Sequence, residues 1–110
     1  MSVSLLKHEE RARFDPDRLE QLCRDVGEVQ AEHEAADALD RINRALKGIE
    51  HLGEPEQKRR LLTRLNALIA ASDKIGMSTL GRVARDVRHC ARIDNRNALA
   101  ATLSRLGRVG

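Results

Sequence analysis

Aromatic residues are almost missing from this chain. Phe14 is the only one among 110 residues, and tryptophan and tyrosine do not occur. A core must therefore be built from Leu, Ile, Val and Ala, and no aromatic platform exists on which the bases of a single-stranded nucleic acid would stack. Proline is nearly as scarce, with Pro16 and Pro55 only, and glycine is sparse. With so few breakers and aliphatic residues at helical spacing, an all-α protein is expected. No apolar run approaches the roughly 18 residues of a membrane span, and MSVSLLKHEERARF lacks the long apolar stretch of a secretory signal. The expected location is the cytoplasm. The two cysteines, Cys23 and Cys90, stand far apart in no metal or redox spacing. Both are expected as buried free thiols that serve as small apolar residues.

What is present is charge, unevenly placed. Acidic residues outnumber basic ones before Pro55. Beyond it Lys58, Arg59, Arg60, Arg64, Lys74, Arg82, Arg85, Arg88, Arg92, Arg96, Arg105 and Arg108 face only Glu56, Asp73, Asp86 and Asp94. A basic face attracts nucleic acid or an acidic protein, and equally it is an ordinary solvated helix surface. The missing aromatic platform, the missing helix-turn-helix pair and the interruption by Asp86 argue against nucleic acid.

Residues 1–13 are expected as a flexible leader, and 14–110 as one helical domain. Asp15-Pro16 is a helix start, with Asp15 as N-cap, and Gly27 a stop. Leu19, Leu22, Cys23 and Val26 share one side of that short helix. A long second helix is predicted over Glu28 to Leu52, with Ala35, Leu39, Ile42, Leu46 and Ile49 as its seam. Gly53-Glu54-Pro55 breaks the chain, and Pro55 opens the third helix. Leu61, Leu65, Leu68, Ser72 and Ile75 form the buried stripe of that helix, which ends at Gly76. Asn66, Ile69, Ala70 and Asp73 share its solvent flank. Ser78 is expected to cap the fourth helix, which buries Leu80, Val83, Ala84, Val87 and Ala91 and leaves Gly81, Arg82, Arg85, Arg88, His89 and Arg92 mostly outside. After the turn Ile93-Asp94-Asn95, a fifth helix from about Arg96 buries Leu99, Leu103, Leu106 and Val109. Short connections make sequential helices antiparallel, so helices two to five are predicted to form an up-down four-helix bundle capped by the short first helix.

Reactive constellations are absent from this pattern. No Ser-His-Asp set, P-loop or Gly-rich dinucleotide motif occurs, so no enzymatic activity is expected. His33 and Asp37 stand one turn apart, which is two ligands and not a metal site, and no cofactor is implied. His8, His33, His51 and His89 are ordinary polar residues. None is expected to accept phosphate; His89, flanked by Arg85, Arg88 and Arg92, is the least poor fit.

The third helix, with its ending at Ile75-Gly76, resembles the histidine phosphotransfer (HPt) domain family, whose pattern is a helix carrying His-x-x-Lys-Gly. Aligned on the helix end, the phospho-accepting His falls on Asn66, the Lys on Ile69 and the Gly on Ala70. The likeness covers about Phe14 to Val109 in helix lengths, the Gly76 break and the final turn. An amide nitrogen delocalised into its carbonyl cannot act as the nucleophile, and Ile69 cannot balance phosphoryl charge. The resemblance thus implies a degenerate HPt-like module that binds a receiver domain or histidine kinase without carrying phosphate. Its docking face would comprise Arg59, Leu62, Thr63, Asn66, Ile69, Ala70 and Asp73. The alternative is a helical homo-oligomerisation or structural domain, such as a homodimer, unconnected with phosphorelays.

Overall fold

The computed structural model describes residues 14–109; the expected leader, 1–13 with His8, lies outside them. The described chain is all α. Its helices are α1 (Pro16–Val26), α2 (Glu28–Leu46), α3 (Lys58–Ile75), α4 (Ser78–Arg92) and α5 (Arg96–Val109). Two 3-10 helices, Ile49–Leu52 and Pro55–Gln57, lie between α2 and α3. Among the described residues no helix is long and apolar enough to cross a membrane.

α3 is the central element. It packs against α1, α2, α4 and both 3-10 helices. Its stripe Leu61, Leu65, Leu68, Ser72 and Ile75 is entirely buried, as the spacing predicts. α4 answers with Leu80, Val83, Ala84, Val87 and Ala91, all buried. α5 completes this side with Leu103, Leu106 and Val109. Beyond α4, the element on which α5 packs is the 3-10 helix Ile49–Leu52. An open depression of about 570 Å³, lined in part by Glu50, Gly53, Ala100, Leu103 and Ser104, runs beside that contact.

The helix ends have local causes. Asp15 caps α1 by accepting from the Asp17 amide at 3.0 Å. Gly27 (φ +82°) separates α1 from α2. α4 stops where Asp94 enters the left-handed region (φ 56°) and the Asn95 amide reaches back to the Cys90 carbonyl at 3.1 Å. Asn95 then caps α5 through the Ala98 amide at 3.1 Å. α4 itself begins without a side-chain cap: Ser78 is its first residue rather than its N-cap.

Three expectations about α1 and α2 are corrected. α2 does not run to Leu52; it ends at Leu46, because Gly48 takes a left-handed turn (φ +70°). Ile49 and Leu52 still enter the core, delivered by the 3-10 helix. The seam of α2 is Ala31, Ala38, Ile42 and Ala45, with Leu39 38 % exposed. The alanine seam is turned toward α3, and this leaves Leu39 outward. Cys23 is exposed while Cys90 is buried. α1 meets the rest of the fold through Leu19 and the buried Leu22, leaving Cys23 at the rim of a cleft between α1 and α2.

The corner after α3 fixes the position of α1. Gly76 is left-handed (φ +74°), and the Met77 amide bonds to the Ser72 carbonyl at 2.9 Å, closing the helix end. The Asp15 amide donates to the Gly76 carbonyl at 2.6 Å, and Arg18 Nε donates to the Asp73 carbonyl at 3.0 Å. A Cβ on Gly76 would stand 2.8 Å from Arg18 Cβ and 3.0 Å from Asp15 Cβ. Gly27 (φ +82°, ψ 160°) has an extended backbone that essentially only glycine adopts, and nothing lies within 4 Å of such a Cβ there. Gly27→Ala is therefore expected to cost only backbone strain, about 1–3 kcal/mol. Gly76→Ala should cost about 1–3 kcal/mol beyond its own left-handed strain, because α1 must also move. Urea unfolding checks this; a loss at Gly76 no larger than left-handed strain alone, about 1–2 kcal/mol, would mean that α1 does not press on the corner.

Candidate functional site

The exposed part of α3 is a ridge about 21 Å long by helical rise. It carries Arg59, Thr63, Asn66, Ala70 and Asp73, all exposed, with Leu62 half-buried at its edge. Ile69, expected on this face, is instead 6 % exposed and belongs to the core. The reason lies in its helical neighbours. Asn66 and Asp73, three residues before and four after it, both bond to α4. Ile69 thus stands on the side of α3 that α4 covers.

α4 supplies polar partners that the periodicity of α3 alone did not reveal. Arg88 Nη1 donates to Asn66 Oδ1 at 3.0 Å. Arg85 Nη2 pairs with Asp73 Oδ2 at 2.5 Å, both side chains about half exposed. This pair contributes under about 1 kcal/mol at such exposure. Antiparallel geometry makes the first contact readable: Asn66 and Arg88 stand equally far along the chain from Met77, so a tight turn there brings them level.

Under the Asp73–Arg85 pair the two helices come close. Gly81, expected outside, is buried. A Cβ there would stand 3.6 Å from Ser72 Cβ, 3.3 Å from Asp73 Oδ1 and 3.2 Å from Arg85 Nη1. Ser72 is fully buried, and its hydroxyl has no hydrogen-bond partner among the described residues. Such a hydroxyl costs about 1–3 kcal/mol, a local price of the small-residue crossing.

On the other side of the ridge a groove of about 460 Å³ separates α2 from α3. Ala38 and Ala45 line it from α2, and Thr63, Ala67 and Ala70 from α3. Lys74 crosses its end to reach Glu34 of α2 at 2.8 Å. Arg64 donates to the Lys47 carbonyl and ties α3 to the end of α2. The ridge therefore divides the predicted face: Asn66 and Asp73 turn toward α4, while Thr63 and Ala70 turn toward the α2 groove.

His33, His51 and His89 are all exposed. Asp37 pairs with Arg41 at 3.0 Å rather than with His33. Among the described residues no group of three or more His, Cys, Asp or Glu side chains is placed to hold a metal ion. No protein-family model, curated protein or solved structure matches the chain.

The Glu34–Lys74 contact carries a pH signature. The hydrogen bond from Lys74 holds the Glu34 carboxyl below its ordinary value, against the opposing effect of desolvation. A lowered carboxyl pKa adds stability above the unfolded-state value, about 4.3, and that stability is lost as pH falls through the folded value. Glu34→Gln should therefore flatten the fall in urea midpoint between about pH 7 and pH 3. An unchanged slope would show that the contact is not maintained in solution.

Proposed function

We propose that this chain is a non-catalytic helical interaction module whose α3 ridge docks a partner protein. The observation that carries this reading is the ridge itself. Arg59, Thr63, Asn66, Ala70 and Asp73 lie open on one helix that is otherwise the most enclosed element of the fold. A rigid helix held on several sides presents its exposed stripe with little conformational loss on binding. Leu62, Thr63 and Ala70 offer apolar and small surface at the middle, and charged groups stand at the ends, as in a protein interface with an apolar centre and polar rim.

The partner class proposed is a receiver domain or histidine kinase of a two-component phosphorelay, and the arrangement proposed is an HPt-like four-helix bundle of α2 to α5. This rests on the resemblance of α3 and its Gly76 ending to the HPt pattern. With Asn66 at the phospho-acceptor position, the module would compete with or scaffold phosphotransfer rather than take part in it. A cytoplasmic location goes with this reading. Ala70→Glu tests it, because the position is exposed and the change should alter stability by no more than about 0.5 kcal/mol. Calorimetric binding to receiver domains from the same cell should be lost in that variant, with helicity unchanged. Receiver binding that survives the substitution would place the contact elsewhere.

A second reading, self-association, is favoured by Val29, 72 % exposed in the first turn of α2, and by the partly exposed Val26 and Leu39. Val26 and Val29, three residues apart, are the exposed apolar pair that a second copy would cover. Sedimentation equilibrium separates the readings: a dimer dissociated by Val29→Lys supports the second, and a monomer at all concentrations removes it.

A further inference from the structure

The surface cations divide into those that have a carboxylate partner and those that do not. Arg24, Arg41, Arg44 and Arg96 each have a carboxylate within 4.0 Å, namely Glu20, Asp37, Asp40 and Glu54. Next to Asn66 this changes. Arg88 has an amide oxygen as its partner, so its charge is held in place but not neutralised. Arg59 and Arg92 are exposed and have no carboxylate within salt-bridge distance among the described residues. Antiparallel pairing about Met77 sets Arg92 level with Leu62 of α3, one turn beyond Arg88 and on the Arg59 side. Arg59, Arg88 and Arg92 therefore form an uncompensated cationic patch along the α4 flank of the ridge. Of the carboxylates at the two ends of this flank, Asp73 is engaged by Arg85 and Asp94 by Lys58 at 3.0 Å.

We propose that the docking partner is an acidic protein surface whose carboxylates are received by Arg88 and Arg92, with Asn66 as the positioning residue for Arg88. This rests on the ridge being a docking face and names the chemistry of what docks there. A guanidinium presents a planar fork suited to a carboxylate. A neutral amide partner keeps that fork in position and leaves its charge available. Uncompensated charge of one sign steers an oppositely charged partner and sets its register. A nucleic acid fits the patch less well. Asp73 and Asp86 interrupt the row, the stripe from Arg82 to Arg92 spans only about 15 Å, no aromatic side chain lies on α3 or α4, and Leu62 and Ala70 add apolar surface that a phosphate backbone does not use.

The test uses the full chain, labelled for NMR, titrated with a decaglutamate peptide and, separately, with a short random-sequence DNA duplex. The peptide should shift the Nε–H signals of Arg88 and Arg92. Its affinity should fall about tenfold in Arg88→Glu/Arg92→Glu, a loss of about 1.4 kcal/mol. Arg24→Glu on α1 should bind as the unmodified chain does. Asn66→Asp gives Arg88 an internal carboxylate and should weaken the peptide too, with helicity retained. Peptide affinity unchanged in both the double variant and Asn66→Asp overturns the proposal. So does duplex binding at the same arginines that is tighter than peptide binding at about 150 mM salt, which would assign the patch to nucleic acid. If receiver domains fail to bind but the peptide behaves as expected, the phosphorelay partner falls and the acidic-surface proposal stands. If receivers bind in a manner abolished by Ala70→Glu but indifferent to Arg88 and Arg92, the ridge stands and this proposal falls.

Discussion

The left-handed corner at Gly76 is the constraint on which the rest of the structure depends. It ends α3 through the Met77-to-Ser72 bond and sends α4 back along α3. It also accepts the start of α1 through the Asp15 amide. Every pairing that builds the polar side of the ridge follows from that reversal. Asn66 meets Arg88 because the tight turn brings them level, and the long Arg85 side chain reaches one turn along to Asp73. The absence of a side chain at Gly76 and Gly81 acts twice here, once to seat α1 and once to let α4 approach Ser72.

That close approach decides which parts of α3 face solvent. With α4 drawn in over Ile69 and the alanine seam of α2 drawn in over Ala71, only a narrow stripe remains open. The stripe is rigid because its helix is the one that the other elements pack against. Its flanks differ in chemistry. Toward α2 the groove is small and apolar, and toward α4 it is cationic. A partner that matches both flanks needs an apolar contact beside an acidic one, and this asymmetry would set its orientation as well as its affinity.

The all-α class, the core of α3 and α4, the Asp15 cap and the turn at Asp94 were legible in the sequence. They rest on helical spacing and on residues whose local preference agrees with the fold. The failures have common physical causes. Helical spacing points Leu39 inward, because an apolar pattern registers hydrophobicity and not size. The alanines won that face, since small residues let helices approach. Gly81 and Ile69 were misplaced for a related reason: where two helices touch is set by how closely they come, and that is a property of the pair. Helical spacing carries α2 through to Leu52, whereas the left-handed turn at Gly48 ends it early and hands Ile49 to the core by another route. The polar partners Arg85 and Arg88 lie on a different helix from the ridge, so no periodicity of α3 contains them.

The central claim is that the solvent stripe of α3 is the surface through which this protein meets a partner. Hydrogen–deuterium exchange of the full chain, with and without receiver domains from the same cell, tests it most directly. Slowed exchange confined to α3 from Arg59 to Asp73 and to the facing turns of α4 is the predicted result. Protection that appears on α1 and the first turns of α2, with the α3 ridge unchanged, would contradict it and move the interface to the exposed valines.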